Sequence, residues 1–126
     1  MEEYILENNI KIDDVWRFGT LEADYLLSLV IDGKKLATSS LITDSKVGSY
    51  SIITDTLGVK KCIVKTTSIK KLKFKDMTYE DAIKEGEGDL DHWIKVHYDF
   101  FKSQDESFNE DSIIFFEEFE LVYSVK

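Results

Sequence analysis

Two adjacent lysines stand a few residues ahead of three successive hydroxyls in the stretch GKKLATSS, residues 33–40. A lysine in a partly dry site, its pKa lowered by burial, can take the proton of a nearby threonine or serine and turn that hydroxyl into a nucleophile. The plain alternative is a helix end followed by a strand. In that case the lysines merely offset the partial negative charge of the last helical carbonyls.

The geometry of the flanking elements decides between the two. Leu26, Leu29 and Val30 recur at helical spacing between Leu21 and Asp32, and Gly33 stands where helices often end in a left-handed turn. Leu36 to Ile42 reads as a short strand. If that strand begins at Lys34, Lys34 and Thr38 share one face while Lys35 and Ser39 share the other. If the turn continues to residue 36, Lys35 can come beside Thr38.

Further along the chain, Asn8 or Asn9 is placed to cap a helix through Trp16, with Ile12, Val15 and Trp16 on one face. Trp16 and Phe18 read as core residues, or as a stacking platform for a base. Thr20 is placed to cap the second helix. Residues 43–49 form a polar loop, residues 49–55 a short strand, and Lys60 to Phe74 a long strand whose alternation slips at Thr66 to Ser68, which implies a bulge. Thr78, with Asp81 three residues on, begins a helix that ends at EGEGD, residues 85–89. That segment is either a solvated loop or a carboxylate-bearing site. Leu90, Trp93, His97, Phe100 and Phe101 make residues 90–102 an amphipathic helix with His97 on its aromatic face. Residues 104–111 are an acidic loop, and Ser112 to Val125 a closing strand with Phe115, Glu117 and Phe119 on one side. This α+β order suggests a small curled sheet or barrel flanked by helices.

A chain of 126 residues makes one domain, residues 1–126, and buries about two thirds of its unfolded surface. No apolar run approaches a membrane span, and MEEYILENN lacks the basic start and apolar block of a signal peptide, so a cytoplasmic protein is expected. The single cysteine, Cys62, forms no internal disulfide and no zinc cluster, and reads as an inert buried thiol. No metal or cofactor is expected. The net charge of −9 divides unevenly, at −5 over residues 1–30, +7 over residues 31–75 and −11 over the remainder. The basic middle section either forms a positive cleft for a small or single-stranded anion or supplies lysines to solvated strand faces paired with acids.

WRFG at 16–19, LLSLVIDGKKLATSS at 26–40, EGEGDLDHW at 85–93, HYDFF at 97–101 and FELVY at 119–123 together resemble the ASCH family, named for activating-signal-cointegrator homology. The resemblance spans nearly the whole chain and implies a PUA-like fold, a small mixed β-barrel flanked by helices. It implies a bacterial protein whose partner is RNA or a modified nucleoside, bound in a cleft between barrel and helices. One branch of small bacterial relatives hydrolyses the acetyl amide of N4-acetylcytidine with a lysine, a threonine and a glutamate. Its Gly-basic-Lys-x-x-Thr pattern falls on Gly33 to Thr38, which implies Lys35 as general base and Thr38 as nucleophile. The second carboxylate of its Glu-x-Glu segment falls on Glu87, the implied proton donor. The implied ligand-binding set is Lys34, Ser39, Glu85, Asp89, Trp16, Trp93 and His97. A non-catalytic RNA-binding module, a ribonuclease and a regulatory partner-binding domain are the competing expectations. Relatives often carry an arginine after the tryptophan of this segment, where this chain has Ile94. A phosphate contact is thereby removed, which favours a small ligand over a polynucleotide.

Overall fold

The structure is a computed structural model that describes every residue except Leu21, Glu87 and Lys126. Five strands form one mixed sheet in the order β1-β3-β4-β5-β2: β1 (Ile12–Trp16), β2 (Ala37–Ser40), β3 (Tyr50–Thr54), β4 (Lys60–Lys73) and β5 (Ile113–Ser124). β1 runs parallel to β3, and the other neighbours are antiparallel. Among the described residues β1 and β2 are the two edges, so the sheet is open where a closed barrel was one expectation. Among the described residues four α-helices accompany it, α1 (Glu2–Glu7), α2 (Ala23–Ile31), α3 (Tyr79–Ile83) and α4 (Leu90–Gln104), with a 3-10 turn at Phe74–Asp76.

Residues 8–16 depart from the helix their spacing predicts. The helix lies earlier, at α1; Asn9 takes a left-handed φ of 51°, and Ile12 to Trp16 become an edge strand beside β3. A three- and four-residue apolar spacing over so short a segment is outweighed by the backbone hydrogen bonds that β3 offers. Thr20 does not cap α2: Glu22 occupies the N-cap, and the Thr20 hydroxyl is buried with no hydrogen-bond partner among the described residues.

Other local expectations are met. Gly33 takes a φ of +75° directly after α2, where a side chain would be strained. The Thr78 hydroxyl accepts from the Asp81 amide, capping α3. The β4–β5 register shifts between Thr66 and Ser68, the predicted bulge. Along β5 burial passes from Ile114 and Phe116, in the core with α4, to Phe119 on the opposite face, in the core with α2.

Each face of the sheet carries its own core. On one side α2 and Phe18 pack Leu26, Leu27 and Val30 against Ile53, Cys62, Val64 and Phe119. Burial there pushes the Cys62 thiol up to about 11, so it stays protonated and unreactive. On the other side α3 and α4 cover Ala37, Ile114 and Phe116, and Phe74 is the aromatic hub, its ring centroid 5.1 Å from Trp93, 5.2 Å from Phe108, 5.8 Å from Tyr98 and 6.3 Å from Phe101. Truncating a buried ring leaves a cavity as well as losing transfer free energy. Phe74→Ala is therefore expected to lower unfolding free energy by about 3–5 kcal/mol; a loss below about 1 kcal/mol in urea denaturation would show that α4 does not depend on this hub.

Candidate ligand pocket

The turn after α2 starts the site. Lys34 and Lys35 both donate their amides to the Leu29 carbonyl, at 2.9 and 3.0 Å, and β2 begins only at Ala37. Lys35 therefore precedes the strand alternation. The Leu36 amide then donates to the Lys84 carbonyl at 2.7 Å, docking this turn on the one after α3. Gly86 makes that docking possible: with a φ of +81°, a Cβ there would lie 2.7 Å from the Lys34 carbonyl oxygen.

The two turns bring Lys35 and Glu85 together in the interior, where they are 2 % and 1 % exposed. Lys35 Nζ donates to the Glu85 carbonyl at 3.1 Å and stands 3.4 Å from Glu85 Oε1. His97 Nε2 lies 3.2 Å from the same oxygen. The other oxygen, Oε2, accepts from Ser39 Oγ at 2.7 Å and from Trp93 Nε1 at 2.6 Å. His97 Nδ1 donates to the Trp93 carbonyl at 2.9 Å, and the two rings stack with centroids 4.4 Å apart. Burial alone would raise the Glu85 pKa, but the His97 hydrogen bond and the Lys35 charge dominate and hold it at about 2. Glu85 is thus a fixed anion that organises cations and donors, and not a proton donor at neutral pH.

Above this network opens a cavity of about 950 Å³. Lys35, Thr38, Ser39, Glu85 and His97 line it together with Trp16, Phe18, Val96 and Phe100. Thr38 faces the α2 side of β2 and Ser39 the α4 side. Both reach the cavity because β2 is an edge strand, and the chain at 16–20 crosses that edge, with Gly19 against Phe100. Trp16 meets Phe18 edge to face at 5.0 Å.

Several predicted site residues lie elsewhere. Trp93 is 2 % exposed and acts behind the wall, through Glu85. Lys34 is exposed and outside the cavity lining, contributing its backbone to the Gly86 contact. Asp89 is also outside the lining; its carboxylate accepts from the His92 amide at 2.9 Å and caps α4. Glu87 lies outside the described residues. Glu117 and Thr20 line the cavity without having stood out in the sequence. The signal for Glu117 is a carboxylate between Phe115 and Phe119 on one strand face.

The basic middle section is not gathered into a cleft. Lys61 pairs with Asp55, Lys70 with Asp81, and Lys75 with Asp111, all away from the cavity. Among the described residues the cavity lining carries the basic side chains of Arg17 and Lys35 and the carboxyl groups of Asp14, Glu22, Asp44, Glu85 and Glu117.

An open mixed sheet with helices on both faces and a polar, aromatic-edged pocket at one edge strand defines a small domain of α+β class. The ASCH domain family model matches residues 14–123, and the chain belongs to that family. It is similar to the crystal structure of an ASCH domain from Lactobacillus crispatus JV V101, with a TM-score of 0.87 and 26 % identity over 97 % of this chain and 91 % of the other. It is also similar to protein EF3133 from Enterococcus faecalis V583, with a TM-score of 0.86 and 27 % identity over 99 % and 91 %. The fold is shared with hypothetical protein PH0355, at a TM-score of 0.60 and 21 % identity over 86 % and 97 %. No curated protein matches the chain. Among the described residues no helix is long and apolar enough to cross a membrane.

Glu85 yields a prediction with a definite sign. Its pKa is lowered on folding, so its stabilisation is complete above the ordinary carboxyl value of 4.5 and is lost as pH falls towards about 2. Glu85→Gln keeps the shape, removes the charge that compensates Lys35, and should cost about 3–5 kcal/mol at pH 7. Urea denaturation should show the gap between wild type and variant narrowing from pH 5 to pH 3. A gap constant across that range would refute the assignment.

Proposed function

We propose that the cavity receives a single nucleoside, free or presented by a single-stranded stretch of RNA. The carrying observation is one cavity of about 950 Å³ into which aromatic rings and converging polar groups both project. Unstacked bases are recognised by stacking on aromatic side chains and by hydrogen bonds to their edges. Trp16, Phe18 and Phe100 offer the first, and Thr38 and Ser39 the second. Membership of the ASCH family, which is generally associated with RNA binding, supports the ligand class. The pairing of surface lysines with carboxylates, and the acidic balance of the cavity, favour a small ligand over a long polyanion.

A second reading adds catalysis, and rests on Lys35 and Thr38 lining the same cavity. In it Thr38 Oγ attacks the acyl carbon of an N-acylated nucleoside and its proton passes to Lys35, which must first give up its own proton against the pull of the ionised Glu85 beside it. The amine leaves with a proton from an acid, for which the sequence resemblance nominates Glu87, and water hydrolyses the threonine ester. Glu85 would hold Lys35 in position.

Both readings are tested with N4-acetylcytidine and cytidine. Binding followed by tryptophan fluorescence should saturate and change less than about threefold between 50 and 200 mM salt, whereas a protein making many phosphate contacts loses about 10³-fold or more. Product formation should fall at least about 100-fold in Lys35→Ala and Thr38→Ala. Saturable binding without turnover would remove the hydrolase reading alone; steep salt dependence or no binding would remove the nucleoside reading.

A further inference from the structure

Glu117 is a buried carboxyl in the wall of the cavity, 8 % exposed, on β5 opposite Thr38 of β2. Its partners among the described residues are hydroxyls: Thr43 Oγ1 donates at a long 3.5 Å, and Ser45 also donates. None of the cations that share the lining reaches it. Lys35 and His97 are engaged by Glu85, and Arg17 donates to the Thr56 carbonyl at 2.9 Å. Asp14, close enough for its charge to act on Glu117, and Asp44 bring two further carboxyl groups to the same lining. A buried carboxylate needs a cation and donors in place of its water. The chain provides both at Glu85 and only hydroxyl donors at Glu117.

The same cavity has an aromatic wall. Trp16, Phe18 and Phe100 line it, and Trp16 meets Phe18 edge to face at 5.0 Å. Lys35 Nζ stands over the Phe18 ring, 5.6 Å from its centroid, so this wall already stabilises one positive charge. That charge is balanced by Glu85, which offsets the repulsion a second cation would meet.

We propose that the cavity selects a nucleoside whose base is itself a cation, as a base methylated on a ring nitrogen is, with Glu117 as its counter-ion. Such a base stays flat and stacks on an aromatic ring with its charge spread over its own. It also keeps exocyclic N–H donors, which a carboxylate accepts in charge-assisted hydrogen bonds. A neutral base presents the same ring face without the charge, so the discrimination is Coulombic and does not depend on the order of donors and acceptors along one edge. The inference rests on the nucleoside reading above and deepens it by naming the charge of the base. Burial and the Asp14 charge push the Glu117 pKa up against the Ser45 and Thr43 hydroxyls. A bound cation draws it back down, as His97 and Lys35 do at Glu85 in spite of burial.

The test is equilibrium binding to the full chain at pH 7, followed by tryptophan fluorescence. The ligands are 1-methyladenosine and 3-methylcytidine, cations at this pH, and N6-methyladenosine and 5-methylcytidine, neutral nucleosides with the same methyl group placed elsewhere. Wild type should bind each cation about tenfold more tightly than its neutral counterpart, the advantage of one desolvated charge pair on an aromatic wall. Glu117→Gln keeps the shape of the side chain and removes its charge, and should bring the two members of each pair within about threefold of one another. Equal binding of cation and neutral counterpart by wild type, or a tenfold preference that survives in Glu117→Gln, would overturn the inference and leave the nucleoside reading intact. Saturable binding of none of the four to wild type would overturn both.

Discussion

A carboxylate can be kept ionised inside a protein only where donors and cations replace its water, and Glu85 is the point at which this chain meets that requirement. The groups that meet it come from distant segments: Lys35 from the turn after α2, Ser39 from β2, and Trp93 and His97 from α4. If any of these elements moves, a buried charge loses part of its compensation. The network therefore couples the edge strand to the helix that covers it. It also explains why two backbone turns approach closely enough to require a residue without Cβ at Gly86. The gain is specificity of arrangement more than net stability, since the desolvation of both charges offsets much of their attraction.

The cavity follows from the position of β2 at the edge of the sheet. In a central strand, Thr38 and Ser39 would point into separate cores on opposite sides. At the edge, both faces open onto one space, closed by the chain at 16–20, by α4 and by the loop at 42–45. Glu117 shares a face of β5 with Phe119 by simple alternation, and Phe116 takes the other, so the buried face changes along the strand as the covering helix changes from α4 to α2.

Much of this is legible in the residues taken in order. Gly33, Thr78 and the slip at 66–68 are local signals, and each has the structural consequence its chemistry requires. The aromatic spacing from Leu90 to Phe101 also suffices for α4. Residues 12–16 mislead because their apolar spacing fits a helix, while their partner strand begins at Tyr50, far along the chain. Asp89 reads among the carboxylates of EGEGD as a ligand contact, although its place three residues before His92 and at the head of an amphipathic run is also that of an N-cap. The burial of Glu85 has no local signature. EGEGD has no apolar face, and only the assembled positions of Ser39, Trp93 and His97 make its interior placement tolerable.

The cavity thus contains two buried glutamates in opposite situations. Glu85 is surrounded by Lys35, His97, Ser39 and Trp93 and is held ionised, so it can only accept. Glu117 has weak hydroxyl partners and a negative neighbour in Asp14, and is pushed towards the neutral acid, which can donate. Two like groups in one cavity are thus driven apart in their titrations by their surroundings alone, with no change of conformation.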